Sequence, residues 1–151
     1  MKKNMLLSVM LLLTVTIQAQ SPRITSWLQN TTGITGSRYA QGSSTLIPMT
    51  DSANVQAVYY SANNVYVRTT GVPAYATGPF LDGNPSITTN QNAIFKFPLI
   101  PTQNTGTATA TTMGNIGVFI NGTALFDSRD GVSWKNSSNA LAGGPLGGMG
   151  D

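Results

Sequence analysis

The side-chain carboxylates of this 151-residue chain, its candidates for paired acid–base or metal chemistry, are five aspartates: Asp51, Asp82, Asp127, Asp130 and Asp151. There is no histidine, cysteine or glutamate. An imidazole base, a thiolate nucleophile and a zinc site on nitrogen or sulfur each require a residue type that the sequence lacks. Only Asp127 and Asp130 are close in sequence, in the stretch DSRDG. They are a weak calcium candidate, with backbone carbonyls and Asn136 as further oxygen ligands, because a hard cation takes several oxygens. The spacing is not that of an EF-hand loop, and Asp-Gly is also ordinary turn chemistry, which is the favoured reading. Asp127 with Asp51 or Asp82 would suit a paired-carboxylate glycosidase, but nothing in the sequence sets their separation. No catalytic constellation is complete, so the sequence leaves open whether the protein is an enzyme.

Residues suited to binding are more numerous. In VQAVYYSANNVYVRTT, Val55 to Thr70, a turn at Asn63-Asn64 puts Val58, Tyr60, Ala62, Val65 and Val67 on one face and Tyr59, Tyr66 and Arg68 on the other. That turn sets Tyr59 opposite Arg68. The second face is either a ligand-stacking surface for an extracellular glycan or a self-supporting cation–π group, and the self-supporting reading is favoured. Trp27 is either a further stacking platform or a core anchor, and the apolar Leu28 beside it favours the core. The Gly-rich C-terminal stretch neither follows a strand nor opens a helix, so it is no phosphate loop. Asn30, Asn121 and Asn136 begin N-glycosylation acceptor patterns, but the leader is of bacterial type and Asn121 is needed in a turn.

These residues need a scaffold, and the strongest local signal for one is GNIGVFINGTALFDSRDGVSW, Gly114 to Trp134. Asn121-Gly122 tolerates the positive φ values of a two-residue type I′ turn. Such a turn pairs Ile120 with Thr123, Phe119 with Ala124, Val118 with Leu125 and Gly117 with Phe126. Both faces of that ribbon are then apolar, which predicts cover on both sides and a central place in the domain. Elsewhere, Ile24 to Leu28 reads as a short strand and Asn30 to Gly36 as turn chemistry. Ala93 to Leu99 reads as a strand lying at an edge or end where Pro98 stands. The alternation of Thr with Gly or Ala over Thr105 to Thr111 predicts a strand or loop that lets another backbone approach. The expected fold is mainly β, a sandwich or barrel-like set of antiparallel sheets around a central hairpin, with an irregular Gly-rich C-terminus.

At the N-terminus, Lys2 and Lys3 precede the apolar run Met5 to Val15, and Ala19 offers a small residue for cleavage. This is the pattern of a secretory signal peptide, and the run is shorter than the roughly 20 residues of a membrane span. The expected organisation is a leader over 1–19, a β-rich domain over 20–135 and a Gly-rich tail or truncation end over 136–151. It implies a secreted or periplasmic protein with no span after leader removal. Losing Lys2 and Lys3 lowers the net charge from +3 to +1 and leaves six scattered cations, so no basic stripe exists for nucleic acid. Without cysteine, stability outside the cytoplasm rests on packing, hydrogen bonding or a bound ion. Oligomeric state is not legible.

Taken together, ITSWLQNTTGITGSRY, VQAVYYSANNVYVRTTGVPAYATGPF, GNPSITTNQNAIFKFPLIP and GNIGVFINGTALFDSRDGVSWKNSS resemble the upstream part of exported YHYH-domain proteins. The order of GVPAYATGPF, FPLIP and GVFINGTALFDSRDGVSW carries most of that resemblance. It implies a tyrosine-histidine signature downstream, with a histidine cluster as the candidate metal or catalytic site. No histidine is present here, so no functional residue of that cluster maps onto a position of this chain. The resemblance therefore implies an N-terminal fragment that carries the scaffold without the His-rich site.

Overall fold

Ser21 and Pro22 decide how the described part of the chain begins. In the computed structural model, which describes residues 20–40, 42–79, 87–127, 133–135 and 137–142, Pro22–Thr25 forms a single helical turn, α1. The Ser21 side chain accepts a hydrogen bond from the Arg23 amide at 3.3 Å, and Pro22 supplies a φ already suited to the first helical turn. The strand expected from Ile24 is therefore displaced; the extended part starts later, where Gln29 bridges Val55 in parallel. Asn30 then organises the following loop. Its Nδ2 donates to the carbonyls of Ile34 at 2.7 Å and Ala53 at 3.0 Å, while its Oδ1 accepts from the amides of Gly33 and Ile34.

The described strands are β1 Thr35–Tyr39, β2 Leu46–Ser52, β3 Val55–Tyr60, β4 Asn64–Thr69, β5 Ala76–Thr77, β6 Ala93–Pro98, β7 Asn115–Val118, β8 Ala124–Phe126, β9 Ser133–Lys135 and β10 Ala140–Ala142. They form sheets in the orders β2-β1-β5, β3-β4-β6, β7-β8 and β10-β9. All pairs are antiparallel except β1 with β5. The chain is thus mainly β, as its composition and turn signals predict, and the described sheets do not close into a barrel. The strand β10 falls inside the stretch expected to be irregular. Residues 1–19, with the expected leader, and residues 143–151 lie outside the described residues. Among the described residues no helix is long and apolar enough to cross a membrane.

The centre of the fold is a hairpin, but not the one with the Asn-Gly corner. Val55, Val65 and Val67 of β3 and β4 are fully buried, with Ile24, Trp27, Val58, Phe95, Phe97 and Leu99 packed against them. In β4 the buried residues Val65, Val67 and Thr69 alternate with the more exposed Asn64, Tyr66 and Arg68, the period-two pattern of a sheet covered on one face. Pro98 is the last residue of the edge strand β6, where its missing N–H leaves no gap inside a ladder. Each fully buried valine contributes about 1.5 kcal/mol or more of apolar transfer energy before entropy is subtracted.

The Asn121-Gly122 hairpin forms at the periphery instead. Val118 pairs with Ala124 and Gly117 with Leu125, a register one residue away from the expected one. Ile116, Phe119, Ile120, Leu125 and Phe126 are all more than two-fifths exposed, so the expectation of a ribbon covered on both sides does not hold. One point of this hairpin does reach the core. The Leu28 amide donates to the Ile120 carbonyl at 2.9 Å, and Gly122 sits buried against Thr69 and Val55.

Asn54, in the two-residue link from β2 to β3, adopts φ +67° and is only 4 % exposed. Its carbonyl accepts from the Thr69 hydroxyl at 3.1 Å, and its amide donates to the Val72 carbonyl at 2.7 Å. The side chain contributes less: Oδ1 is buried with no hydrogen-bond partner among the described residues. The backbone conformation is therefore the reason for the residue type, since asparagine tolerates the left-handed region. Asn54→Gly should hold or raise the melting temperature, because it removes an unpaired acceptor and keeps the conformation. Asn54→Ala should lower stability by roughly 1–2 kcal/mol in urea denaturation. Equal losses in the two variants would show that the side chain matters instead.

Candidate functional site

The outward face of β3–β4–β6 carries Tyr59, Tyr66, Arg68, Ile94 and Lys96, as strand alternation requires. Tyr59, Tyr66 and Arg68, three of the residues suited to binding, are therefore brought to one surface. Their mutual order differs from the expected one. The turn closes at Ser61–Asn64, where the Ser61 amide donates to the Asn64 carbonyl at 2.8 Å and the Asn64 amide to the Ser61 hydroxyl at 3.2 Å. That placement sets Tyr59 directly across from Tyr66, and Arg68 across from Ala57. The cation over an aromatic ring is then Lys96, whose Nζ lies 5.9 Å from the Tyr66 centroid, and not Arg68. Lys96 holds one side of Tyr66, while Tyr59, 57 % exposed, offers the open ring.

Trp27 lies on the other side of this sheet. It stacks on Phe97 with centroids 5.7 Å apart and planes 20° apart, and Phe97 in turn stacks on Phe95. Its indole Nε1 donates to the Arg23 carbonyl at 2.6 Å. Its rim lines a shallow cleft with Arg23 and Ile120, on the opposite side of the sheet from the tyrosine face. Asp127 is buried, and its Oδ2 accepts from the Thr111 hydroxyl at 2.5 Å, so this carboxylate ties the coil before β7 to the end of β8. Asp130 and Asp82 lie outside the described residues. Among the described residues no group of three or more metal-ligating side chains occurs.

Beside the tyrosine face lies a cleft of about 320 Å³ that composition and periodicity did not single out. Two irregularities build it. Between the pairs Thr35↔Ser52 and Ser37↔Pro48, β2 holds Met49, Thr50 and Asp51 against the single Gly36, which swings Asp51 out of the regular ladder. Between Val55↔Thr69 and Ala57↔Arg68, Gln56 is an extra residue, and its Nε2 turns back to the carbonyls of Ala53 at 2.9 Å and Asn54 at 3.1 Å. Asp51, Gln56, Arg68, Thr70, Asn90 and Asn92 line the space, and the wall is almost wholly polar. Asn90 Oδ1 accepts from the Asn92 amide at 2.8 Å, which fixes the loop that carries both amides. Arg68 belongs to both features, as an outward residue of β4 and as part of the cleft wall.

Chemically, this surface can stack a ring on Tyr59 and hydrogen-bond a polar group around Arg68 and Asp51; among the described residues no hydroxyl lining the cleft is hydrogen-bonded to a carboxylate. Residues 94–146, from β6 through β10, match the family model described as YHYH protein. The matched span takes in GVFINGTALFDSRDGVSW and FPLIP, two of the stretches that carried the resemblance. No curated protein matches the chain, and neither does any solved structure.

Proposed function

We propose that this chain, whose residues 94–146 form a YHYH-family segment, is an exported β domain that works as an extracellular binding module for a saccharide. The observation that carries the reading is the pairing of Tyr59 with Tyr66 on the outward face, next to a polar cleft that shares Arg68. Sugars are bound by this combination: the C–H face of the ring lies on an aromatic, while the hydroxyls meet amides, carboxylates and guanidinium groups. The apolar run behind Lys2 and Lys3 supports export, and a cysteine-free core suits any compartment. The family's tyrosine-histidine signature would add a metal or catalytic function only through histidines outside these 151 residues, because none lies within them.

A glycan array probed with the purified chain should give binding that Tyr59→Ala reduces about fivefold or more, since an aromatic platform is worth about 1 kcal/mol or more. The double replacement of Tyr59 and Tyr66 should abolish it. Because Tyr59 is largely exposed, the melting temperature of Tyr59→Ala should move little. Array binding that survives the double replacement would remove the tyrosine face from the account.

A further inference from the structure

We infer that the cleft between the β2 bulge and β4 selects an acidic sugar residue, with Arg68 holding its carboxylate. This rests on the saccharide-binding reading and names the class of ligand. Arg68 and Asp51 line the same cleft but form no ion pair with one another or with any other group among the described residues. Two opposite charges that share a small polar space and stay apart are each available to a third partner. The guanidinium presents a planar fork of donors that a carboxylate matches with two parallel bonds, geometry that a neutral hydroxyl cannot fill.

The rest of the wall fits a polyol better than an apolar molecule. The space, about 320 Å³, lies near the small end of the roughly 300–1,000 Å³ usual for ligand sites, and its lining is almost entirely polar. Asn90 commits its Oδ1 to the Asn92 amide, which leaves its Nδ2 as a donor. Gln56 commits its Nε2 to two backbone carbonyls, which leaves its Oε1 as an acceptor. Asp51 adds an acceptor for hydroxyl groups, and it disfavours a second carboxylate in the same space. The arrangement therefore specifies one acid group at the Arg68 end and hydroxyls at the Asp51 end. Since Arg68 also borders Tyr66 along β4, the neighbouring sugar of an oligosaccharide would continue onto the tyrosine face.

The test is calorimetric titration of the full chain with trigalacturonic acid and with its fully methyl-esterified form, in which the carboxylate charges are masked. The acid should bind about tenfold more tightly at low salt, and the preference should shrink as salt is raised. Arg68→Gln should bring the acid down to the affinity of the ester, while Arg68→Lys retains part of the preference. Arg68 is exposed and makes no ion pair among the described residues, so unchanged melting curves would verify that both variants fold. Equal binding of acid and ester, or a preference that survives Arg68→Gln, overturns the inference and leaves the saccharide module standing. Arg68-dependent binding of the acid that ignores loss of Tyr59 and Tyr66 upholds the cleft and removes the tyrosine platform. No binding of either form by a chain that binds other saccharides on the array overturns the cleft and leaves the saccharide module standing.

Discussion

Gly122→Ala is expected to lower the melting temperature by on the order of 10 °C and the unfolding free energy by about 2–5 kcal/mol, from two separable causes. Gly122 has φ +83°, where any residue with a Cβ loses roughly 1–2 kcal/mol. It is also buried: an added Cβ would overlap the Thr69 hydroxyl, lie 2.7 Å from Thr69 Cβ and 3.1 Å from Val55 Cγ2. Both neighbours belong to the fully buried centre of the fold, so neither can yield, and overpacking of this kind adds about 1–3 kcal/mol. Gly33→Ala separates the two contributions. Gly33 has φ +74°, and a methyl group added there would meet nothing within 4 Å, so it should show the backbone loss alone. If the two alanine variants melt together, Gly122 does not anchor the peripheral hairpin against β3 and β4 as described.

The same glycine shows why the order of the two hairpins was not legible from residue types. Asn-Gly predicted a two-residue turn with both residues at positive φ, but only Gly122 takes it. The Gly122 amide bonds back to Phe119, the Phe119 amide reaches the Thr123 carbonyl, and Asn121 Oδ1 accepts from the Thr123 amide. That is a three-residue loop with glycine at its left-handed position, the second common way to close a hairpin. A strand apolar on both faces gives no penalty for the resulting one-residue slip, so its pattern cannot choose the register. In β3 and β4 the inward valines alternate with Tyr59, Tyr66 and Arg68, and for these the residue pattern assigns the faces correctly, whereas Tyr60 and Ala62, expected on the core side, stand exposed beside the turn. The pairing is shifted by two residues from the expected one, which preserves every face and changes only which residues meet.

The candidate site divides along the same line. Tyr59, Tyr66 and Arg68 were legible because they lie close in sequence on strands of clear period. Asp51, Gln56, Asn90 and Asn92 come from three separated segments, and two of them owe their positions to strand irregularities that no residue pattern announced. A polar residue next to an unpredicted bulge looks in sequence like any other loop residue. The one available hint was the density of hydrogen-bonding side chains in MTDS and TTNQN, at the ends of segments otherwise committed to the sheet.

Trp27→Ala is expected to destabilise the protein by about 3 kcal/mol, near the lower end for removal of a packed tryptophan because part of its rim is exposed. The substitution removes the stack on Phe97, and with it the cover over the buried Val55, Val65 and Val67, and it empties space that α1 and β6 border. It also leaves the Arg23 carbonyl without the indole donor, while Arg23 Nη1 still reaches the Leu99 carbonyl at 3.1 Å. Trp27→Phe keeps a ring against Phe97 and loses the hydrogen bond, so about 1 kcal/mol should be lost. The pair of variants decides between an anchor and a sugar platform. An anchor makes stability fall in the order wild type, phenylalanine, alanine, with saccharide affinity of the folded phenylalanine variant unaltered, because Trp27 and Tyr59 occupy opposite faces of β3–β4–β6. A platform would reverse this, with melting curves that superimpose and an affinity that collapses in both variants. That second outcome would move the binding surface to the Trp27 face of the sheet.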